Sequence, residues 1–243
     1  MPSVTHAVED YLKAIWKLSH QTRGGKVPVG DIAVHLGISA PSVTGMVQKL
    51  KGMRLLHYTR YGGVTLTPRG RKIALEIVRH HRLWELYLYT RLGVPLERVD
   101  KEAERLEHVL SDDMEDLLAR ALGDPKRDPH GDPIPTKAGA MERLKGVPLS
   151  KLKPGDAATV ARVSDRHADK LRYMVSLGLL PGARVSVLAR APFRGPITLK
   201  VGNRRCAIDP DLADLVLVST TTPARRGAAT PRGAATPRGP RRK

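Results

Sequence analysis

Residues 37–52 have the sequence GISAPSVTGMVQKLKG, which carries the pattern of a capped helix that follows a tight turn. Gly37 allows the chain to leave a preceding helix, Ser39 is a candidate N-cap, and Pro41 would lie in the first helical turn. Four apolar residues then recur at helical spacing and form a candidate buried stripe: Val43, Met46, Val47 and Leu50. We therefore expect a helix that ends near Gly52.

The segments on either side of this helix complete a winged helix-turn-helix. Residues 29–36 have helical spacing, so a glycine turn joins two helices. Residues 57–61 and 64–67 are rich in strand formers and flank Gly62 and Gly63, which predicts a short hairpin. Two helices followed by such a hairpin are typical of DNA-binding units in which the second helix enters the major groove and the wing lies along the backbone.

The charge distribution favours a polyanionic partner for this unit. The chain has 42 basic and 24 acidic residues, a formal net charge of +18. Residues 1–72 hold 11 basic and 3 acidic residues, whereas residues 73–140 hold 10 basic and 14 acidic residues. A basic surface attracts nucleic acid or an anionic membrane, and the winged helix favours double-stranded DNA.

Neither a membrane span nor a secretion signal is predicted. No apolar run approaches the roughly 18 residues that a span needs. The first residues carry acids and aromatics rather than a charged start followed by an apolar stretch. We expect a cytoplasmic protein without a membrane partner.

Side chains at the front of the second helix, and basic side chains near it, are candidate DNA contacts. Hydroxyl groups can hydrogen-bond to base edges, a proline ring can meet a thymine methyl, and basic groups can neutralise phosphates. Ser39 and Pro41 also have a purely structural interpretation, as the cap and the start of the helix. The candidates are Ser39, Pro41, Ser42, Thr44, Lys49 and Arg60.

Carboxylates and imidazoles recur at helical spacing in the acidic middle of the chain. Residues three and four apart on a helix are neighbours, so these groups form one predicted stripe. Such a stripe is most often a solvated face, and the imidazoles count towards a metal site without deciding between the two. Because Cys206 is the single cysteine, histidine and carboxylate groups would hold any metal. The stripe contains Asp100, Glu104, Glu107 and His108, with His81 and Glu85 at the same spacing on the preceding helix.

The remaining pattern predicts a helical middle, a small β unit and a tail. Residues 71–122 are helical in pattern with one break at residues 93–95, and a proline-rich loop or linker follows at residues 124–135. Beyond residue 149, short strands alternate with Pro-Gly turns, which predicts a small β-barrel. The tail repeats RGAATP, buries nothing and should be disordered.

Six motifs, in order over about residues 5–140, resemble the family of the diphtheria toxin repressor and the manganese transport regulator. They are AVEDYL (7–12), APSVTGMVQKL (40–50), LTPRG (66–70), HRLWE (81–85), ERLEHVLSD (104–112) and GDPIP (131–135). The resemblance implies a metal-dependent regulator that binds operator DNA as a homodimer and controls metal-uptake genes.

The resemblance also assigns metal ligands. It implies a primary site that joins the first helix to the dimerisation helix through Asp10, Glu104, Glu107 and His108. It implies an ancillary site at His81, Glu85 and Asp100.

Two departures from the family pattern bear on the choice of metal. Asp10 and Glu104 stand where iron-type members place methionine and cysteine, and such hard oxygen donors favour Mn²⁺, with Fe²⁺ as the alternative. Lys13 stands where two-domain manganese regulators place a further acid, and a charged lysine cannot ligate. A closely spaced pair of ions built on that acid is therefore not expected.

The stretches LRYMVSLGLLPG (171–182) and GPITLKV (195–201), together with residues 207–217, resemble the SH3-like domain of three-domain family members and of a small ferrous-transport accessory protein. By position, His167 is a candidate ligand for the ancillary site, with Asp169 or Lys170 at a second place. The alternative is a surface histidine. Cys206 is better explained as a packed small side chain than as a ligand.

We expect a mainly α protein with a little β structure, comprising a winged helix-turn-helix, a helical dimerisation domain and a C-terminal SH3-like β-barrel. The expected segments are a DNA-binding domain (1–72), a metal-binding and dimerisation domain (73–140), a linker (141–150), the SH3-like domain (151–219) and a disordered basic tail (220–243).

Four alternatives compete with a manganese-responsive regulator. An enzyme would need an open coordination position beside a substrate pocket, and no further motif indicates one, so we expect no catalysis and no small-molecule substrate. A transporter-accessory interaction protein does not explain the basic winged helix. An iron-responsive repressor, or a regulator that senses something other than metal, would keep the same DNA-binding unit.

Overall fold

The computed structural model describes residues 5–219, which form three consecutive units. The first contains α1 (His6–Ser19), α2 (Val29–Leu36), α3 (Ala40–Gly52), β1 (Leu56–Thr59) and β2 (Gly63–Leu66). The second contains α4 (Pro68–Leu92), α5 (Leu96–Leu106), a 3-10 turn (Glu107–Val109) and α6 (Asp112–Ala121). The third contains β3 (Val147–Pro148), a 3-10 turn (Leu149–Lys151), β4 (Ala157–Val163), α7 (Ala168–Ser176), β5 (Arg184–Arg190), β6 (Ile197–Val201), β7 (Arg204–Ile208), α8 (Pro210–Asp214) and β8 (Val216–Ser219).

The predicted helix-turn-helix and wing are confirmed. α2 ends at Leu36 and is capped by Gly37, whose φ of 66° is left-handed, and Ser39 Oγ then accepts a hydrogen bond from Ser42 N at 3.3 Å. β1 and β2 pair as an antiparallel hairpin. The three helices bury one apolar cluster against the hairpin, and its fully buried members include Leu12, Ile15, Ile32, Val43, Val47 and Leu50.

α4 belongs to two units at once. Its first half packs Ala74, Leu75 and Val78 into the core of the first unit. A side chain at Gly70 would place a Cβ 1.9 Å from the carbonyl oxygen of Leu55, so glycine permits this close approach. The expected boundary at residue 72 therefore falls inside a continuous helix, and α4 connects the first unit directly to the second.

The predicted stripe of four acidic and imidazole residues is not one continuous α-helical face. α5 ends at Leu106, and residues 107–109 tighten into a 3-10 turn. Because a 3-10 turn advances the chain by about 120° per residue rather than 100°, Glu107 and His108 leave the direction that α-helical spacing predicts. Glu107 is fully buried, and its carbonyl oxygen lies 3.1 Å from His80 Nδ1.

The third unit is an antiparallel six-stranded sheet in the order β3-β8-β4-β5-β6-β7. β3 pairs with β8 at Val147 and Pro148, so the sheet begins inside the segment expected to be a linker. The sequence pattern did not single out β3 as a strand. The core of this unit continues into the second one, because Leu88, Val99 and Ala103 share an apolar cluster with the sheet.

No helix within residues 5–219 is long and apolar enough to cross a membrane. The expected disordered tail at residues 220–243 lies outside the described residues, so its disorder stays a prediction.

Candidate metal centre and DNA-binding surface

The outward face of α3 presents the candidate base contacts to solvent. Pro41, Ser42 and Lys49 are exposed. Ser39 is exposed too, but its hydroxyl caps the helix and lies 2.8 Å from Ser42 Oγ, as the structural interpretation anticipated. Thr44 Oγ1 donates to the carbonyl oxygen of Ala40 at 2.9 Å, so this hydroxyl already has a partner within the helix.

Two further side chains on this surface were missed by the sequence analysis. Gln48 is exposed beside Lys49 on α3, and a glutamine amide can recognise adenine through two hydrogen bonds. Tyr61 is 94% exposed at the tip of the wing, where the Arg60 guanidinium lies 5.2 Å from its ring centre. Exposed amides on the outer face of the recognition helix are the feature that could have identified Gln48.

A first group of ligand atoms joins α1 to the 3-10 turn after α5. Atoms of Asp10, Glu107 and His108 lie within 4.8 Å of one another. His108 Nε2 is 2.9 Å from Asp10 Oδ1, and His108 Nδ1 is 2.7 Å from Glu9 Oε2. Glu9 was not singled out from the sequence, although a carboxylate on the second ring nitrogen is a common way to orient a ligand histidine. Burial raises the pKa of Asp10 above its usual value.

A second group contains His81, Glu104 and Glu107, and Lys13 lies among them. Their ligand atoms also lie within 4.8 Å of one another. Lys13 Nζ donates to Glu104 Oε2 at 2.6 Å and to both oxygens of Glu107 at 2.6 and 2.7 Å. The structure thus divides the four expected primary ligands: Glu104 faces Lys13 and His81, while Asp10 faces His108. Burial alone would lower the pKa of Lys13, but Glu107 and Glu104 outweigh it and hold the pKa above its usual value.

The expected ancillary residues meet on the other side of the His81 ring. His81 Nε2 lies 3.2 Å from Asp100 Oδ1 and 3.5 Å from Glu85 Oε1. Burial would lower the pKa of His81, but Glu85 and the hydrogen bonds with Asp100 and Glu107 raise it to about 10. The hydrogen bond from His81 holds the pKa of Asp100 well below its usual range.

His167 does not join the His81, Glu85 and Asp100 group. It is exposed at the N-cap of α7 and belongs to none of the ligand groups that residues 5–219 form. The structure therefore favours the alternative of a surface histidine. The physical reason is that α7 packs on α5 through its apolar face, including Leu171 and Met174, which leaves its N-terminus in solvent.

A third group consists of Glu85, Asp128 and His130, all of them buried, and only Glu85 was in the sequence-based ligand set. Glu85 Oε1 and His130 Nδ1 lie 3.4 Å apart, and neither has a hydrogen-bond partner. Buried polar atoms without partners are costly, and a carboxylate oxygen beside an imidazole nitrogen is a pair of donors that could hold a cation. Burial, followed by Glu85 and Asp132, raises the pKa of Asp128 well above its usual value.

The proline-rich loop at residues 124–135 contains Asp128 and His130 and holds this third group in place. Because the sequence pattern indicated only a loop or linker there, it did not predict the group. Val163 N of β4 donates to the carbonyl oxygen of His130 at 2.9 Å. Gly131 has a left-handed φ of 97°, and a Cβ there would lie 2.1 Å from the carbonyl oxygen of Ala161. The sequence feature that could have indicated this group is the presence of an acid and a histidine two positions apart, at Asp128 and His130.

Three exposed apolar side chains, called here the apolar patch, lie in the last part of the second unit. Val109 after α5 is 67% exposed, and Met114 and Leu117 of α6 are 49% and 51% exposed. Clusters of exposed large apolar side chains are typical of protein-protein contacts.

Three family models together match nearly the whole described chain. Residues 3–64 match the iron-dependent repressor N-terminal DNA-binding domain, residues 67–136 match the iron-dependent repressor metal-binding and dimerisation domain, and residues 147–220 match the FeoA domain.

Curated relatives and solved structures agree with these matches. The iron-dependent repressor IdeR of Mycobacterium leprae is 32% identical over 90% of this chain and 99% of its own length. The diphtheria toxin repressor of Corynebacterium efficiens is 36% identical over 90% of this chain and 97% of its own length.

Among solved structures, a manganese-dependent transcriptional repressor in complex with manganese is 36% identical, with a TM-score of 0.79 over 88% of this chain and 99% of that one. The IdeR of T. acidophilum is 30% identical, with a TM-score of 0.69 over 90% of this chain and 100% of that one.

Proposed function

The chain belongs to the iron-dependent repressor family of metal-dependent transcriptional regulators, and we propose that it is a Mn²⁺-responsive member that binds operator DNA as a dimer and controls metal-uptake genes. One observation carries the proposal. Asp10 of α1, in the DNA-binding unit, meets His108 of the dimerisation unit at 2.9 Å. A ligand set divided between two units can couple ion binding to their relative orientation.

The residues present fit a hard divalent cation. Asp10 and Glu107 supply carboxylate oxygens and His108 supplies an imidazole, a donor set that suits Mn²⁺ or Fe²⁺ and contains no sulfur. A bound ion would supply positive charge between the two acids. Glu9 is placed to orient the His108 ring by accepting a hydrogen bond from Nδ1, which leaves Nε2 facing Asp10.

The buried group of Glu85, Asp128 and His130 is proposed as a second ion site. Its two unpartnered atoms, Glu85 Oε1 and His130 Nδ1, support this assignment. Because Glu85 also faces His81, an ion here competes for the carboxylate that the ancillary group needs. We therefore treat this buried group as an alternative to the His81, Glu85 and Asp100 group, and we favour it because it includes His130 Nδ1, a buried atom without a hydrogen-bond partner.

The recognition helix and the apolar patch are proposed to form the two macromolecular contacts. The candidate DNA surface keeps Ser42, Pro41, Lys49 and Arg60 and adds Gln48. The apolar patch at Val109, Met114 and Leu117 is proposed to face the second copy, so that two recognition helices reach successive major grooves. The domain divisions given above, a cytoplasmic location and the absence of catalysis are part of the same proposal.

A binding assay with DNA tests this function. Operator duplexes are first selected from a random library in the presence of Mn²⁺, and their affinity is then measured by fluorescence anisotropy in saturating Mn²⁺ and in chelator. We expect Mn²⁺ to raise the affinity by about 5- to 150-fold, the usual range of coupling between two ligands. Equal affinity in both conditions would contradict metal sensing.

Iron is the alternative metal, and the same assay distinguishes it. Under anaerobic conditions, Mn²⁺ should give the larger activation, because the ligand oxygens are hard donors. A larger activation by Fe²⁺ would assign the protein to iron.

A further inference from the structure

Lys13 is a buried lysine at the junction of the DNA-binding and dimerisation units. It lies on α1 with 3% of its surface exposed. Its Nζ is 2.6 Å from Glu104 Oε2 and 2.6 Å from the nearer oxygen of Glu107, both on the α5 side of the junction. The same Nζ lies 3.2 Å from His81 Nδ1 on α4.

The partners of Lys13 are themselves a ligand set. His81, Glu104 and Glu107 are one of the groups whose ligand atoms converge closely enough to hold a metal ion. The ammonium nitrogen therefore lies among donor atoms that would otherwise surround a cation.

The ammonium of Lys13 is surrounded by two carboxylates and one imidazole. Two carboxylates face it, and a lysine ammonium carries three donors and no acceptor. His81 Nδ1 lies 2.5 Å from Glu107 Oε2, so the ring must donate to that oxygen and cannot accept from Lys13. The two acids, Lys13 and the donating imidazole thus form a compact network.

A second cation has no favourable place in this network. Removing one partner from a buried ion pair leaves an uncompensated charge, which is strongly destabilising. An ion entering among His81, Glu104 and Glu107 would have to expel the ammonium from a site where it has two carboxylate partners.

We propose that Lys13 takes the place of a metal ion at this junction. Its ammonium holds α1 against the segment after α5 without metal, and it limits the junction to one ion, at Asp10, Glu107 and His108. This inference rests on the proposed function for the identity of the ion, but its structural consequences hold for any divalent cation.

Two consequences are measurable. The junction should take up one ion, not two close together. The metal-free protein should also keep part of its operator affinity, because one bridge between the units is permanent.

Replacing Lys13 by a ligand tests the first consequence. Lys13→Glu should bind one more Mn²⁺ per chain than the wild type in equilibrium dialysis, and its electron paramagnetic resonance spectrum should gain the broadening of two ions in close proximity. The matched control is Lys17→Met, which removes a lysine one turn further along α1 and should leave the number of ions unchanged. An unchanged ion count in Lys13→Glu overturns the inference.

Replacing Lys13 by an apolar residue of similar length tests the second consequence and does not depend on how Lys13→Glu folds. In chelator, Lys13→Met should lose on the order of tenfold in operator affinity relative to the wild type and to Lys17→Met. Metal-free affinity equal to the wild type would overturn the permanent bridge.

The outcomes for Lys13 and for metal sensing are separable. If the wild type shows no response of DNA binding to metal while Lys13→Glu still gains an ion, the proposed function fails and the role of Lys13 stands. If the wild type responds to metal but Lys13→Glu gains no ion, the role of Lys13 fails alone.

Discussion

His108 Nε2 lies 2.9 Å from Asp10 Oδ1, although 98 positions of sequence separate the two residues and they belong to different units. α1 packs against α4, and the 3-10 turn that holds His108 packs against α4 as well. α4 is therefore the common support that brings the acid and the imidazole together. Any change in how α1 sits on α4 changes the distance between these two ligand atoms.

Asp10 should determine which metal activates the protein. In Asp10→Met the hard carboxylate is replaced by a softer thioether, so the ratio of activation by Mn²⁺ to activation by Fe²⁺ should fall. The measurement is operator binding against free metal under anaerobic conditions. Glu9→Gln is the comparison variant, because it leaves the ligand atoms in place and should weaken both metals by about 10- to 100-fold. An unchanged ratio in Asp10→Met means that Asp10 is not a ligand.

His130 should hold an ion together with Glu85 and Asp128. His130→Ala should reduce the number of Mn²⁺ ions bound per chain by one and reduce the gain in thermal stability on adding Mn²⁺. An ion at about 100 times its Kd stabilises a fold by roughly 2.7 kcal/mol, which calorimetry detects readily. The matched control is His167→Ala, since that exposed histidine lies outside the group. Equal ion counts in wild type and His130→Ala would remove this site.

Lys49 and Gln48 should affect DNA binding in different ways. Lys49→Ala should weaken operator and random DNA alike and reduce the slope of log affinity against log salt by about 0.9, because it removes one phosphate contact. Gln48→Ala should weaken operator binding alone, by about 1–3 kcal/mol, if its amide contacts a base. Anisotropy across a salt series measures both. Equal losses on the two DNAs for Gln48→Ala would show that this side chain does not recognise sequence.

Leu117 should contribute to the dimer contact. Leu117→Glu places a charge in the exposed apolar patch, so the protein should become monomeric in light scattering after size exclusion and lose operator affinity, because one recognition helix binds a single half-site. Leu188→Glu is the control, since Leu188 is exposed on β5 of the third unit. A dimeric Leu117→Glu variant would place the interface elsewhere.

The sequence by itself determined the elements whose signals are local. Gly37, Ser39 and the apolar stripe from Val43 specify the turn and α3, because capping and helical periodicity depend on residues close in the chain. The resemblance to the family implied Asp10, Glu107 and His108 as candidate ligands, and the structure brings these three together.

Tertiary structure alone decided which of these groups face one another. Glu85 lies close to Asp128 and His130, although more than forty positions of sequence separate it from them. Lys13 lies within the group formed by His81 and Glu104. His167 is exposed to solvent. Helical spacing predicts which residues are neighbours within one α-helix. It does not hold at Glu107, because residues 107–109 form a 3-10 turn. Contacts between helices depend on how apolar faces pack around α4. Charged side chains that this packing buries need partners of opposite charge or hydrogen-bond partners nearby, because water is excluded.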